Sequence, residues 1–166
     1  MKEKVQSKHD RLRQVPLFAS VSKKHLDEIS IIFDEIEVKT GEVLAEQGTK
    51  GQELVLILEG EAKVERDGMV INRLSANNFF GEIALLDGKE RIATVTAETD
   101  MRLLVMHRRF FNKLLEASPD LQEEIIFALC RYLAGVKQSE HSLKEIILAL
   151  CNRLREVKPS PLASTD

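Results

Sequence analysis

The chain has 166 residues, of which 43% are hydrophobic and 31% are charged, and its formal net charge is −3 at pH 7. This length fits one domain of ordinary size, and the composition is that of a folded protein rather than a disordered one. The slight acidity argues against direct binding to nucleic acid or to an anionic membrane, and no apolar run approaches the roughly 20 residues that span a bilayer.

The first residues, the cysteines and the histidines exclude further classes of protein. Residues 1–4 lead into charged residues rather than a signal-peptide core, so we expect a cytoplasmic protein. Cys130 and Cys151 each lie in an apolar helical pattern, which predicts two buried free thiols and no disulfide framework. The histidines are scattered without partners at metal-ligand spacing, so we expect no metal site; they are His9, His25, His107 and His141.

The apolar pattern near the start of the chain is helical. Residues 1–11 are expected to form a tail or a helix. From about residue 22 to 33, apolar residues recur at steps of three and four, and Ser22 is a suitable N-cap. The apolar positions of this predicted helix are Leu26, Ile29, Ile32 and Phe33.

Short strands separated by glycines follow. Asp67-Gly68 predicts a two-residue hairpin turn, because both residue types tolerate a positive φ. The spacing of the strands predicts a closed or sandwiched antiparallel sheet, with Phe79-Phe80 filling one end. The predicted strands include Ile36 and Val38, then 54–58, 62–65, 70–74, 93–97 and 102–106.

The helical period returns after residue 106. Phe110, Leu114 and Leu115 predict a short helix, and Ser118-Pro119 predicts the start of the next. A further amphipathic helix is expected over 139–158, followed by a disordered tail at 159–166. The apolar stripe of that helix has two interpretations: it forms a homodimer interface, or it packs back onto the sheet or the preceding helix.

One motif carries most of the chemistry. Residues 80–86 read Phe-Gly-Glu-Ile-Ala-Leu-Leu, and residues 91–95 read Arg-Ile-Ala-Thr-Val. An arginine can hold a phosphate through parallel hydrogen bonds, and the amides at the start of a short helix add donors and partial positive charge. A carboxylate beside them would repel a phosphate, so it suits a sugar hydroxyl instead. The combination favours a small ligand with one phosphate and one ribose.

These residues resemble the phosphate-binding cassette of the cyclic nucleotide-binding domain family. The resemblance extends over roughly residues 12 to 138, with the helical lead-in at 15–18 and turn glycines at Gly41, Gly48 and Gly60. It implies an α+β fold, an antiparallel β-roll of the double-stranded β-helix or jelly-roll type between N-terminal and C-terminal helices. The domain would occupy 12–138 and the cassette 80–95.

The resemblance also implies a role for each site residue. Glu82 would accept the ribose 2′-hydroxyl, Arg91 would pair with the cyclic phosphate, and Thr94 could offer its hydroxyl. Val64 and Ile71 would flank the base. The remaining phosphate donors would be the backbone amides of Gly81, Ile83, Ala84, Ile92 and Ala93.

Two departures from the family pattern bear on the ligand. Glu90 stands where many members have proline, which makes the local field less positive. Ile92 replaces a small or hydroxylated residue, and a hydroxyl at this position is associated with phosphate contacts or with gripping a guanine amino group. Its lack of a hydroxyl favours cAMP over cGMP, although cGMP remains an alternative.

The site residues also have structural interpretations. Arg91 could be a surface arginine paired with Glu90 or Asp87, and Glu82 could be a carboxylate that stabilises the start of a helix.

Several functions are compatible with the motif. The first is a sensor without cofactor or catalytic residues, which signals to an unknown protein effector by rearranging its C-terminal helices. One alternative is a scaffold that has lost its ligand. Another is a transcription regulator, which would have to be truncated because the stretch after residue 138 is too short for a helix-turn-helix domain. An enzyme is not expected, because neither a nucleophile-base pair nor a metal cluster is visible.

Overall fold

The structure is a computed structural model that describes residues 6–15, 18–81 and 89–135, with side chains in the last helix described as far as residue 127. The described part of the chain contains two helices before the strands and two after them. In chain order they are α1 (Lys8–Leu12), α2 (Lys23–Ile31), α3 (Arg108–Ala117) and α4 (Pro119–Gly135).

The strands form two four-stranded sheets in which every pairing is antiparallel. The first sheet has the order β1-β8-β3-β6 and the second has the order β2-β7-β4-β5. The predicted α+β roll with flanking helices is therefore confirmed. The strands are β1 (Phe33–Val38), β2 (Val43–Ala45), β3 (Glu53–Glu59), β4 (Ala62–Arg66), β5 (Met69–Leu74), β6 (Phe79–Phe80), β7 (Thr94–Ala97) and β8 (Met101–His107).

Strand β3 explains how the layers are held together. Leu54, Leu56 and Leu58 belong to the core beneath the helices, whereas Val55 and Ile57 belong to the core between the two sheets. Successive side chains of a strand point to opposite faces, so a strand buried on both faces reads as an uninterrupted apolar run. The first sheet is thus the middle layer, between the helices and the second sheet.

Helix α2 is shorter than the sequence predicts. Ser22 is its N-cap, as expected, but the helix ends at Ile31 and Phe33 begins β1. The Lys8 ammonium donates to the carbonyls of Ser30 at 2.9 Å and of Phe33 at 2.8 Å. These contacts satisfy carbonyl groups that the end of a helix leaves without partners, so α1 helps to terminate α2.

The hairpin turn predicted at Asp67-Gly68 is confirmed. The two residues have φ values of 52° and 79°, which is the backbone twist that a two-residue hairpin requires. The turn joins β4 to β5, and β5 is an edge strand of the second sheet.

The prediction about the Phe79-Phe80 pair is wrong. Phe79 and Phe80 do not fill one end of the sheet together, because they form strand β6 and pack against opposite cores. The short helix predicted from Phe110, Leu114 and Leu115 is confirmed as α3, in which Phe110 is 41% exposed while Phe111 is fully buried. The buried stripe of α3 is Phe111 and Leu115, one helical turn apart.

Other predictions concern parts of the chain that the structure does not cover. The helix over 139–158 and the tail over 159–166 lie outside the described residues, as do Cys151 and the side chain of Cys130. No helix among the described residues is both long and apolar enough to cross a bilayer.

Candidate functional site

The backbone of Arg91 is held by the loop between β2 and β3. Its amide donates to the Thr49 carbonyl at 2.6 Å, and its carbonyl accepts from the Gly48 amide at 2.8 Å. Two residues earlier, the Lys89 carbonyl accepts from the Gly51 amide at 3.0 Å. Residues 89–91 therefore lie along this loop as a short antiparallel ladder, which fixes the point from which the arginine side chain extends.

The guanidinium of Arg91 lies between the start of β3 and the turn at Gly81. Its Nη2 donates to the Glu53 carbonyl oxygen at 2.9 Å and lies 3.7 Å from the Glu53 carboxylate, and the side chain is only 10% exposed. A Cβ placed on Gly81 would stand 2.6 Å from Nη1. A buried cation must be paired and hydrogen-bonded, and the carbonyl and carboxylate of Glu53 meet that need on one edge of the group.

Gly81 and Arg91, predicted to share a phosphate site, are therefore brought together. Gly81 has a φ of 90°, a conformation that glycine adopts without strain. The other cassette residues from the first half of the motif, Glu82, Ile83 and Ala84, lie outside the described residues. The predicted contacts of those residues with ribose and phosphate stay predictions.

The second half of the cassette continues into β7. Ile92 is 57% exposed and Ala93 is half-buried. The Thr94 hydroxyl accepts a hydrogen bond from the Gln47 amide at 3.0 Å, so this side chain holds the β2–β3 loop. A hydroxyl can accept and donate at the same time, so this bond leaves its hydrogen for another acceptor.

Val64 and Ile71, the predicted flanks of the base, are both on the β4–β5 hairpin but do not face each other. Val64 is opposite Asn72 and packs against the core between the sheets. The register shifts after Val64, and Ile71 falls at this irregularity with its side chain 52% exposed. The hairpin thus offers one inward and one exposed apolar side chain.

The contacts that join this hairpin to the cassette are not predicted by the sequence. The Gln47 side chain donates to the Asp67 carboxylate at 2.8 Å and accepts from the Asp67 amide at 2.9 Å. Arg66 Nε donates to the Ile92 carbonyl at 3.3 Å. The predicted turn at residues 67–68 was the only sequence signal near these contacts, and nothing in the pattern points from it to residue 47.

A metal centre finds no support in the described side chains. Within residues 6–15, 18–81 and 89–127, histidine, cysteine and acidic residues form no group of three or more that could hold an ion. The described part of the site holds a largely buried guanidinium, a group that can bind an anion through parallel hydrogen bonds.

Comparison with known proteins identifies the family. A family model described as "Cyclic nucleotide-binding domain" matches residues 35–118, a range that includes Glu53, Gly81 and Arg91. This chain is a member of the cyclic nucleotide-binding domain family. The resemblance recognised in the cassette is thereby confirmed.

Relatives of the domain include kinase regulatory subunits and ion channels. The cAMP-dependent protein kinase regulatory subunit of Schizosaccharomyces pombe is 33% identical over 111 residues, covering 66% of this chain and 27% of that protein. A cyclic nucleotide-gated potassium channel of Rhizobium etli is 36% identical over 111 residues, covering 67% of this chain and 31% of the channel. The match thus spans less than a third of either relative.

Solved structures share the fold of this cyclic nucleotide-binding domain. The N-terminal domain of a transcriptional regulator from Streptomyces coelicolor A3(2) has a TM-score of 0.70 and 28% identity, covering 79% of this chain and 99% of that one. The regulatory domain of Toxoplasma gondii PKA, in a co-crystal with cAMP, has a TM-score of 0.65 and 26% identity, covering 76% of this chain and 48% of that one.

Proposed function

We propose that this protein is a sensor that binds a 3′,5′-cyclic mononucleotide, with cAMP preferred over cGMP, in a domain formed by residues 12–138. The observation that carries the proposal is the Arg91 guanidinium, 10% exposed and held by Glu53 against the turn at Gly81. A cation buried in this way, beside Gly81 at the start of the cassette, is suited to a small anionic group. Membership of the family supplies the ligand class.

In the proposed complex, Arg91 binds the cyclic phosphate through parallel hydrogen bonds. Glu82 accepts the ribose 2′-hydroxyl, and Thr94 is available to donate. Backbone amides complete the shell of donors around the phosphate in the cassette of residues 80–95, namely those of Gly81, Ile83, Ala84, Ile92 and Ala93.

The base is the part of the ligand that separates cAMP from cGMP. Ile92 has no hydroxyl with which to grip a guanine amino group, and its side chain is 57% exposed. Val64 and Ile71 offer apolar surface on the hairpin. Both features favour adenine, because a guanine with an unmatched amino group loses a hydrogen bond to water on binding.

The signal in this proposal passes through the C-terminal helices. Ligand contacts made in only one position of the helices provide the difference in affinity that shifts the equilibrium between positions. Pro119 and Gly135, which bound α4, are the proposed hinges. The signal is received by a protein effector. The sensor itself is cytoplasmic and non-enzymatic, uses no cofactor and does not bind nucleic acid directly. The helix over 139–158 is the proposed homodimer contact.

A second candidate is that the same site controls transcription. The match to 99% of the N-terminal domain of the Streptomyces coelicolor regulator favours it, since that domain has the same fold. In this case the ligand would control a DNA-binding segment elsewhere in the molecule. Gel-shift assays with genomic fragments, with and without cAMP, separate this candidate from the first.

Isothermal titration calorimetry with cAMP, cGMP and 2′-deoxy-cAMP tests the proposed function. We expect one site per chain, tighter binding of cAMP than of cGMP, and weaker binding of the 2′-deoxy compound because the contact to Glu82 is missing. Absence of binding for all three nucleotides would overturn the proposal, and tighter binding of cGMP would overturn the proposed preference.

A further inference from the structure

We propose that Gln47 is a positioning residue for base recognition: it fastens the β4–β5 hairpin to the segment that carries Arg91, without touching the ligand. This inference rests on the proposed function, because it assigns the base to the hairpin and the phosphate to Arg91. It concerns how the two parts of the site are kept at a fixed separation.

Gln47 contacts both parts. Its backbone amide donates to the Thr94 hydroxyl at 3.0 Å, which attaches it to the end of the cassette. Its side-chain nitrogen donates to the Asp67 carboxylate at 2.8 Å, and its side-chain oxygen accepts from the Asp67 amide at 2.9 Å. Three hydrogen bonds made by one residue therefore join the hairpin turn to Thr94, at the start of β7.

The adjoining residues of the loop hold Arg91. Gly48 donates to the Arg91 carbonyl at 2.8 Å, and Thr49 accepts from the Arg91 amide at 2.6 Å. The hairpin, the loop and the arginine are thus connected through three consecutive residues, 47 to 49. The Arg66 contact to the Ile92 carbonyl at 3.3 Å is a second tie between the same two segments.

The chemistry of the contact explains why a glutamine is suited to position 47. An amide side chain donates and accepts at once, and Asp67 presents one acceptor and one donor to it. A glutamate would place two carboxylates face to face, and a leucine would lose both bonds. Asp67 has a φ of 52° and is suited to the turn, since aspartate is among the residues that tolerate this conformation.

Loss of the Gln47 contacts should affect the base and the cyclic phosphate of the ligand differently. Ile71, on edge strand β5, would lose its fixed position relative to Arg91 if the tie were broken, whereas Val64 is kept in place by the pairing of β4 with β7. The arginine would keep its own backbone bonds and its contact with Glu53. Loss of Gln47 should therefore weaken the recognition of the base and leave the recognition of the cyclic phosphate intact.

The test compares wild type with Gln47→Leu, using cAMP and a ribose 3′,5′-cyclic phosphate that lacks a base. Side-chain hydrogen bonds of this kind predict a loss of about threefold to tenfold in affinity for cAMP, with unchanged affinity for the baseless probe. Gln47→Asn, one methylene shorter, should show the same pattern, whereas Asp67→Asn keeps both bonds and should bind like wild type. Gln14→Leu, an exposed glutamine in the N-terminal region, is the matched control.

Hydrogen exchange in the ligand-free protein provides an independent readout. Amides of residues 66–70 should exchange faster in Gln47→Leu than in wild type, with no change in β3 and β8, and the thermal midpoint should stay close to that of wild type.

The outcomes separate the inference from the proposed function. The role of Gln47 would be overturned if Gln47→Leu lost equal affinity for cAMP and the baseless probe, or lost affinity for neither. Unchanged hydrogen exchange at the hairpin would also overturn it. In each case the sensor function would stand. Failure of the wild type to bind cAMP or cGMP would overturn the proposed function and this inference with it.

Discussion

At the scale of single residues, the site depends on one arginine whose charge is largely removed from solvent. Arg91 is fixed by its backbone to residues 48–49 and by its guanidinium to Glu53. It is a polar residue and is not a member of either hydrophobic core. We therefore expect substitutions of Arg91 to affect ligand binding far more than folding.

Arg91→Ala should weaken cAMP binding at least about tenfold, because hydrogen bonds to a charged group contribute roughly 1.5–3 kcal/mol each. Isothermal titration calorimetry measures the loss, and circular dichroism with thermal unfolding checks that the fold is kept. Arg109→Ala, an exposed arginine on α3, is the control. Equal affinity in Arg91→Ala and wild type would rule out the phosphate role of this residue.

Gly81→Ala should abolish most ligand binding for a different reason. The new Cβ would stand 2.6 Å from Arg91 Nη1 and closer still to the Glu53 carbonyl, and the φ of 90° does not suit alanine. The arginine must then move away from the turn. Gly68→Ala is a useful comparison, because its Cβ meets nothing within 4 Å although its φ of 79° is also positive.

Calorimetry on both glycine variants measures the effect. Gly68→Ala carries backbone strain alone, so it should lose some stability while keeping its affinity for cAMP. If Gly81→Ala bound cAMP as well as Gly68→Ala does, the approach of Arg91 to the turn would be irrelevant to the ligand.

At the scale of elements, helix α4 is attached to α2 by the carboxylate of Glu124, which lies between two buried aliphatic residues of α4. Glu124 Oε2 lies 2.9 Å from His25 Nδ1 and accepts from the Ser22 amide at 3.0 Å. Leu121 and Ile125 on either side are buried in the core beneath the helices. The carboxylate thus lies at the N-terminus of α2, where the helix dipole favours negative charge.

This environment changes the titration of Glu124. Burial by itself raises the pKa of the carboxyl group, but hydrogen bonds from His25 and Ser22 favour the charged form and outweigh it, so the pKa is lowered from its ordinary value. A carboxylate with a lowered pKa stabilises the fold at pH values above its unfolded pKa. This stabilisation is lost as the pH falls through the folded pKa.

Glu124→Gln should therefore reduce the free energy of unfolding at neutral pH by about 0.5–1 kcal/mol, a modest value because the side chain is partly exposed. The difference from wild type should shrink as the pH falls through the acidic range. Urea unfolding of both proteins across pH measures it, with Glu123→Gln on the exposed face of α4 as control. If the difference in the free energy of unfolding did not depend on pH, the charge of Glu124 would not contribute to this contact.

At the scale of the whole molecule, the site is assembled from both sheets and the loops that join them. Glu53 opens β3 in the first sheet, whereas Thr94 and Val64 belong to the second sheet. Strand β3 is buried on both of its faces and so supplies a rigid base for the Arg91 contact. Ligand binding between these parts should stabilise the folded molecule as a unit.

A thermal-shift titration with cAMP tests this expectation and separates the sensor from a scaffold that has lost its ligand. A ligand that binds only the folded state stabilises it by about 2.7 kcal/mol at a concentration 100 times its dissociation constant. We expect a rise of the midpoint with cAMP that Arg91→Ala reduces. A flat response to cAMP, cGMP and cyclic dinucleotides would favour the scaffold.

Much of this architecture could be predicted from local sequence. The alternation of strand residues, the Asp67-Gly68 turn and the serine N-cap at residue 22 each depend on neighbouring residues, so they are visible in the sequence. Errors came where tertiary contacts decided the outcome. The last turn expected in the first long helix was lost to β1, and the Phe79-Phe80 pair was divided between two cores by its pairing with β3.

The sequence by itself identified the family and predicted Gly81 and Arg91 as residues of a phosphate site, because the motif places a turn glycine and a cation at a fixed separation along the chain. Only the tertiary structure decided how Arg91 is held, since Glu53 lies 38 positions away in the chain. It also decided the tie between Gln47 and Asp67, 20 positions apart. Such contacts arise when the chain folds back on itself, and no local pattern of residues encodes them.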